Sequence, residues 1–396
     1  MVSFSENPLY SNIVKLYFIK ISHWLMLTMP IILIFYNANH LSVRHLFIIQ
    51  AVYSLTILGF EIPSGMLADI WGRKRTLVIG ALFGFLGYSI YSFSSGFFGF
   101  LLAEIILGIG QSCISGTDTA MLYDTMLAMN KQEKYLKIEG QMTSVGNFAE
   151  ALAGIAGGLL AVISPRFPFM CQAVIALIAI PAALMLVEPK LHSSFKKPDV
   201  KDIISTFRNT LFGRKELLQN IMLSSVIGAS TLTMAWFVQP FFKNISIPVA
   251  VYGILWTCLN ATVGFSALLA YKIERKLGET KVVTLIVIVT TLTYITLYFS
   301  QSFWMLGVIL VFYIIRGIAT PILKDYINKL ISSETRASVL SLRNLIIRGI
   351  FSTLAPIIGY LADKVSLQIA FLMAGLTFFI FSLPFLIMYW LPSKEN

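Results

Sequence analysis

Long apolar runs, broken by short polar connections, fill almost the whole chain. A helix needs about 20 mostly apolar residues to cross a bilayer. By that rule the pattern predicts twelve spans: about 15–36, 43–68, 76–95, 97–125, 138–163, 167–187, 217–241, 249–272, 281–300, 302–328, 338–362 and 367–391. The predicted fold class is an all-α polytopic membrane protein with 12 transmembrane helices in two six-helix halves. An even number of crossings puts both termini on one side. The longest connection separates an N-terminal half, 1–189, from a C-terminal half, 217–396. Within the linker 190–216, Val200, Ile203, Ile204, Phe207 and Leu211 recur at helical spacing between Lys201, Asp202 and Arg208. That pattern suits an amphipathic helix on the inner leaflet or, equally, a solvated linker helix.

Composition agrees with the pattern. Of 396 residues, 57% are hydrophobic and 12% charged, against about a quarter charged in a soluble domain. The formal charge of +11 would suit nucleic acid if the basic residues formed a patch. They fall instead in short loops, where Lys and Arg set orientation. One set of loops holds Arg73, Lys74 and Arg75; Lys131, Lys134 and Lys137; the linker cluster; Lys272, Arg275, Lys276 and Lys281; Lys329 and Arg336. The other holds only Arg44, Arg166, Lys243 and Lys364. The first set, and with it both termini, is therefore expected in the cytoplasm, and the protein in the cell (inner) membrane. The three cysteines lie inside apolar runs without a CxxC or Cys/His pattern, so no disulfide framework and no metal site is expected. No cofactor is implied, and Gly108-Ile-Gly110 sits in an apolar helix with no strand before it. The first run shows no small-residue cleavage site, so no signal peptide is expected.

The stretch Gly65–Arg75 is a basic knot between two apolar runs. Gly65 would let a neighbouring helix approach, Gly72 would permit a sharp reversal, and Asp69 could accept from a helix N-terminus or a cation. The residues Gly65-x-Leu67-Ala68-Asp69-x-x-Gly72-Arg73-Lys74-Arg75 resemble the signature loop between helices two and three of the major facilitator superfamily of transporters. Asp69, Gly72 and Arg73, with Gly65, Lys74, Arg75 and Asp124, are then expected to form a gating latch, although Asp124 is also readable as a solvated helix-end carboxylate. Arg343 would join the latch or anchor to the inner surface. A faint internal repeat supports two halves: Ala153-Gly-Ile-Ala-Gly-Gly-Leu parallels Ala355-Pro-Ile-Ile-Gly-Tyr-Leu.

Ionisable groups at membrane depth are costly and mark a pathway, a relay or an internal pair. Glu61, Glu104, Glu150, Arg316 and Arg348 are such groups. The resemblance implies that helices one, four, seven and ten line a cavity while two, five, eight and eleven form the surface on which the halves rock. Glu104 and Arg316 would then face substrate, with Trp24, Trp236, Gln239 and Asn260 as further cavity candidates. Glu61, Glu150 and Arg348 would lie on the rocking surface. Glu150, Glu104 and Glu61 are the candidate proton-coupling residues, Glu150 first. An Arg beside a buried carboxylate favours its charged form, so a movement that separates the two switches a proton on. A fixed Glu150–Arg348 interface ion pair is the alternative, as is a Glu104–Arg316 pair. Glu104 stands four residues before Gly108, where drug-exporting branches carry an Arg.

The resemblance to drug and metabolite antiporters implies proton-coupled efflux of a small amphipathic compound by alternating access. The partners expected are that compound, protons and the lipid bilayer, with no nucleic acid, and the chain is expected to act as a monomer and not as an enzyme. A proton-coupled uptake symporter for a nutrient or siderophore-like molecule and a non-transporting membrane receptor or scaffold remain open on the sequence.

Overall fold

A computed structural model describes residues 8–189, 214–299, 302–331 and 336–390. The linker residues 190–213, and the amphipathic helix expected there, lie outside the described residues. Among the described residues every regular element is helical, and twelve spans are long and apolar enough to cross a membrane. They are built from α1 (Tyr10–Trp24), α2 (Ile32–Ala38), α3 (Val43–Trp71), α4 (Arg73–Phe93), α5 (Phe97–Ile114), α6 (Thr117–Ala128), α7 (Tyr135–Ile163) and α8 (Phe167–Leu184). There follow α9 (Lys215–Asn244), α10 (Val249–Leu277), α11 (Glu279–Phe299), α12 (Met305–Lys329), α13 (Arg336–Lys364) and α14 (Leu367–Trp390).

Two of the twelve spans are interrupted, which hydropathy does not foretell. The first consists of α1, a 3₁₀ turn at Met29–Ile31 and α2. Pro30 has no N–H to donate to the Met26 carbonyl, and in the break before it the amide of Leu27 donates to Gln172 Oε1 of α8 at 2.8 Å. The fourth span breaks between α5 and α6, where Gly116 takes a φ of +77°. Backbone freed inside a bilayer must find partners in the protein. Here the Thr119 amide donates to Asp118 Oδ1 at 2.8 Å.

The chain forms two compact units. The first comprises Met1–Leu41, Val52–Lys197 and Pro248–Thr257; the second comprises Ser42–Ala51, Pro198–Ile247 and Cys258–Asn396. Helices α3 and α10 therefore each contribute to both.

In the first unit α4 packs on α5 and α8, and α1 packs on α7 and α8. Small residues set the closest approaches, as membrane helices require. A methyl group on Gly157 would collide with the Leu27 carbonyl, and one on Gly253 with the Gly154 carbonyl. Thr257 Oγ1 donates to the Ala151 carbonyl at 3.0 Å at the same seam. The glycines of 153–159 thus serve helix packing. One end of the unit is a nest of rings, with Phe35 4.0 Å from Phe169 and Tyr36 5.4 Å from Phe100, centroid to centroid. Arg166 closes that end by donating to the carbonyls of Ser92 and Ser94 at 2.9 and 2.7 Å.

In the second unit α11 packs on α12 and α14, and α9 packs on α13 and α14. These are the pairings of the first unit shifted by six spans, which is how duplicated halves pack. Phe237 meets Phe371 at 4.5 Å and Phe47 at 5.2 Å, and Tyr294 donates to the Ser230 carbonyl at 2.7 Å. Gly359 receives Phe47, whose Cβ a methyl there would strike. Arg343 is buried, and among the described residues its donors reach only neutral acceptors: Ser224 Oγ at 2.5 Å, the Ser224 carbonyl and Asn344 Oδ1.

Candidate functional site

Three groups of polar side chains stand out inside the first unit. The first lies where α3 reverses into α4. Gly72 makes the turn with a φ of +99°, a region costly to any residue with a Cβ. Arg73 then opens α4, and its Nε lies 2.5 Å from Asp124 Oδ2 on α6. A second carboxylate completes the group. Glu188, just past α8, accepts the amide of Arg73 on Oε1 and that of Lys74 on Oε2, each at 2.8 Å. A helix N-terminus has unsatisfied amides and partial positive charge, and one carboxylate here answers both. Glu188 is held by the segment before it: Asn12 donates to the Val187 carbonyl and accepts the Val187 amide, both at 2.8 Å, while Lys15 donates to the Met185 carbonyl. Neither Glu188 nor Asn12 was foreseen from the sequence. The available signal was a carboxylate directly before Pro189 at the end of an apolar run.

The remaining residues of this loop are more open. Asp69 and Arg75 are exposed and Lys74 is half-buried. A methyl on Gly65 would meet nothing within 4 Å, so the close helix approach expected at that glycine is not seen.

The second group surrounds Glu104. This carboxyl group is 5% exposed and accepts from the Tyr91 hydroxyl at 2.8 Å. Tyr91 is in turn 2.5 Å, hydroxyl to hydroxyl, from Tyr36. Tyr88 also faces Glu104, with Thr28 hydrogen-bonded to it. The carboxyl group is thus embedded in the ring nest.

The third group joins α1 to the broken fourth span. Lys20 Nζ lies 3.0 Å from Asp118 Oδ2, with both side chains about nine-tenths buried. Glu139 of α7 is half-buried and within electrostatic reach of both charges. His23 is hydrogen-bonded to Gln111 beside them. Trp24 carries Lys20 above its ring at 5.8 Å and rests on Gly146, where a methyl would come within 3.0 Å of the indole.

The other sequence candidates are distributed as follows. Glu61 and Glu150 are half-buried on α3 and α7 in the first unit. In the second unit Arg348 is half-buried on α13 and Arg316 on α12, its guanidinium 5.4 Å from the ring centre of Tyr313. Trp236 and Gln239 are buried within α9, and Asn260 is half-buried on α10.

A family model described as Major Facilitator Superfamily matches residues 16–346 and 221–396. An uncharacterized MFS-type transporter of Bacillus subtilis (strain 168), YxaM, is 23% identical over 327 residues, covering 80% of both chains. The class H tetracycline resistance protein of Pasteurella multocida is 24% identical over 318 residues, covering 77% of this chain and 76% of its own. In fold the chain is similar to the nucleoside transporter NupG, with a TM-score of 0.78 over 99% of this chain and 100% of that one at 13% identity.

Proposed function

This chain belongs to the Major Facilitator Superfamily and is a multi-pass membrane transporter rather than an enzyme; from that premise we propose proton-coupled efflux of a small amphipathic compound by alternating access. Efflux is favoured by the likeness to a tetracycline resistance protein along three quarters of the chain. Proton coupling rests on one observation. Glu104 is a carboxyl group inside a membrane-spanning bundle, tied to a tyrosine hydroxyl that is itself tied to a second tyrosine. Gaining or losing a proton changes what that carboxyl group can donate and accept, so the ring nest around it responds to protonation. Glu150 and Glu61 are the other carboxylates assigned to coupling, with Arg348 as the cation that pairs with Glu150. Arg316, Trp24, Trp236, Gln239 and Asn260 are assigned to the substrate cavity.

The proposed latch comprises Asp69, Gly72, Arg73, Lys74, Arg75 and Asp124, and Glu188 is added to it. Both termini are placed in the cytoplasm, in the inner membrane, by the lysine and arginine asymmetry of the loops. The transporter is taken to work as a monomer.

Proteoliposomes with an imposed proton gradient test the proposal, with tetracycline as the first of a panel of amphipathic compounds. An antiporter accumulates substrate against the direction of proton flow. Movement of the opposite sign identifies an uptake symporter, and none with any compound identifies a receptor or scaffold. Either result overturns efflux.

A further inference from the structure

Arg343 lacks what a charge inside a membrane-spanning bundle requires. It is 6% exposed, and a charge so buried is costly unless an opposite charge answers it. Among the described residues no carboxylate lies within ion-pairing distance of it. Its Nε–H donates to Ser224 Oγ, but its terminal nitrogens reach Asn344 Oδ1 and the Ser224 carbonyl only at 3.3 and 3.4 Å, longer than is usual for an N–H donor. Each terminal nitrogen carries a second N–H, and neither finds an acceptor among the described residues. The sequence supplies no counter-charge at this depth. Asp and Glu are absent from 217–273, 280–324 and 337–362, the stretches that hold Arg316, Lys324, Arg343 and Arg348.

A second cation stands in the same layer of the bundle. Leu217 and Ile221 of α9, Ile327 of α12 and Val339 of α13 form one apolar cluster near the ends of their helices. One helical turn deeper, on the same faces, come Ser224, Lys324 and Arg343. Lys324 is within electrostatic reach of Arg343. It is exposed, and the carboxylate next to it in sequence, Asp325, is taken by Lys329 at 2.7 Å. The layer thus holds a sheltered cation and an open one, and the apolar cluster closes it towards the helix ends.

We propose that Arg343 and Lys324 bind the carboxylate of an amphipathic organic anion within the second unit. Lys324, the exposed charge, draws the anion in. The two unanswered N–H groups of Arg343 then take its two oxygens, the pairing to which a guanidinium fork is suited. Ser224 holds the fork in place by accepting from Nε. This deepens the transport proposal by naming a substrate class, and it rests on that proposal only for its physiological meaning. Binding in detergent needs no gradient, so the two can fail separately.

The test uses the full chain in a non-ionic detergent and three probes of one shape: 4-phenylbutyrate, 4-phenylbutanol and the cation of 4-phenylbutylamine. Calorimetry reads their affinities. The butyrate is expected to bind at least about tenfold more tightly than the alcohol, the worth of one hydrogen bond to a charged group. Arg343→Met should erase that preference in a protein that melts no lower than the parent, because it removes a buried charge that has no counter-charge. Lys324→Gln should reduce the preference. Should Arg343→Met melt lower or fail to fold, Arg343→Lys decides: it keeps the charge without the fork, so it must bind the butyrate more weakly than the parent and still prefer it to the alcohol. A lipid headgroup can carry the same charge, so dihexanoylphosphatidylglycerol is a further probe. If it binds and the butyrate does not, the site belongs to a lipid and the substrate class falls. The proposal is also overturned if the amine binds best, if no probe binds, or if Arg343→Met keeps the preference.

Discussion

Glu188 occupies the space that a side chain on Gly72 would need. A Cβ there would come within 3.2 Å of the Glu188 carboxylate, which at the same time caps the helix beginning at Arg73. The turn thus depends on a missing side chain at one position and a carboxylate 116 residues later. Glu188→Ala removes both caps of α4 and should lower stability by about 1–2 kcal/mol, read as a lower melting temperature in detergent. Glu188→Gln keeps one acceptor and should lose less. Equal melting of Glu188→Ala and the parent would show that the cap contributes nothing.

Arg73 and Asp124 should behave as one unit. Both are largely shielded, at 24% and 12% side-chain exposure, and their atoms lie 2.5 Å apart. A double-mutant cycle of Arg73→Ala and Asp124→Ala on thermal stability should give a coupling of about 0.5–3 kcal/mol. Strict additivity would mean that the pair is held by its surroundings and not by its charges. In transport assays either single change should slow turnover while leaving substrate affinity close to that of the parent.

Gly157 and Gly253 permit helix contacts closer than any other residue allows. Gly157→Ala forces a methyl against the Leu27 carbonyl and should cost about 1–3 kcal/mol through overpacking. Gly84→Ala is the control, because nothing lies within 4 Å of a methyl there. It should be neutral or stabilising by less than about 1 kcal/mol. A ranking of melting temperatures in any other order would contradict the packing at the 154–158 seam.

Glu104→Gln should abolish proton-driven accumulation in vesicles while sparing downhill exchange of substrate. The amide keeps the size and hydrogen-bonding capacity of the carboxyl group but cannot titrate. Tyr91→Phe removes the hydroxyl that donates to it and should weaken coupling less severely. Glu150→Gln, tested in parallel, decides which carboxylate couples. If Glu104→Gln retains full accumulation and Glu150→Gln does not, coupling lies at Glu150.

The twelve spans and the special character of the stretch Gly65–Arg75 were legible in the sequence, because transfer of side chains into hydrocarbon depends on composition over about twenty residues and little on packing. The breaks in spans one and four were not. Losing a few ladder hydrogen bonds at Leu25–Thr28 or Ser115–Gly116 leaves hydropathy unchanged, and only a partner such as Gln172 makes the break affordable in a membrane. The same limit hid Glu188 and the Lys20–Asp118 pair. Each charged group has its partner 98 to 115 residues away in another run. Which carboxylate meets which cation is decided by the packing of α1, α4, α6 and α8, because an ion pair inside a bundle is worth its desolvation only at hydrogen-bonding distance. The sequence alone thus determined that the chain crosses the membrane twelve times and where its charges interrupt it. Tertiary structure alone decided which of those charges face one another.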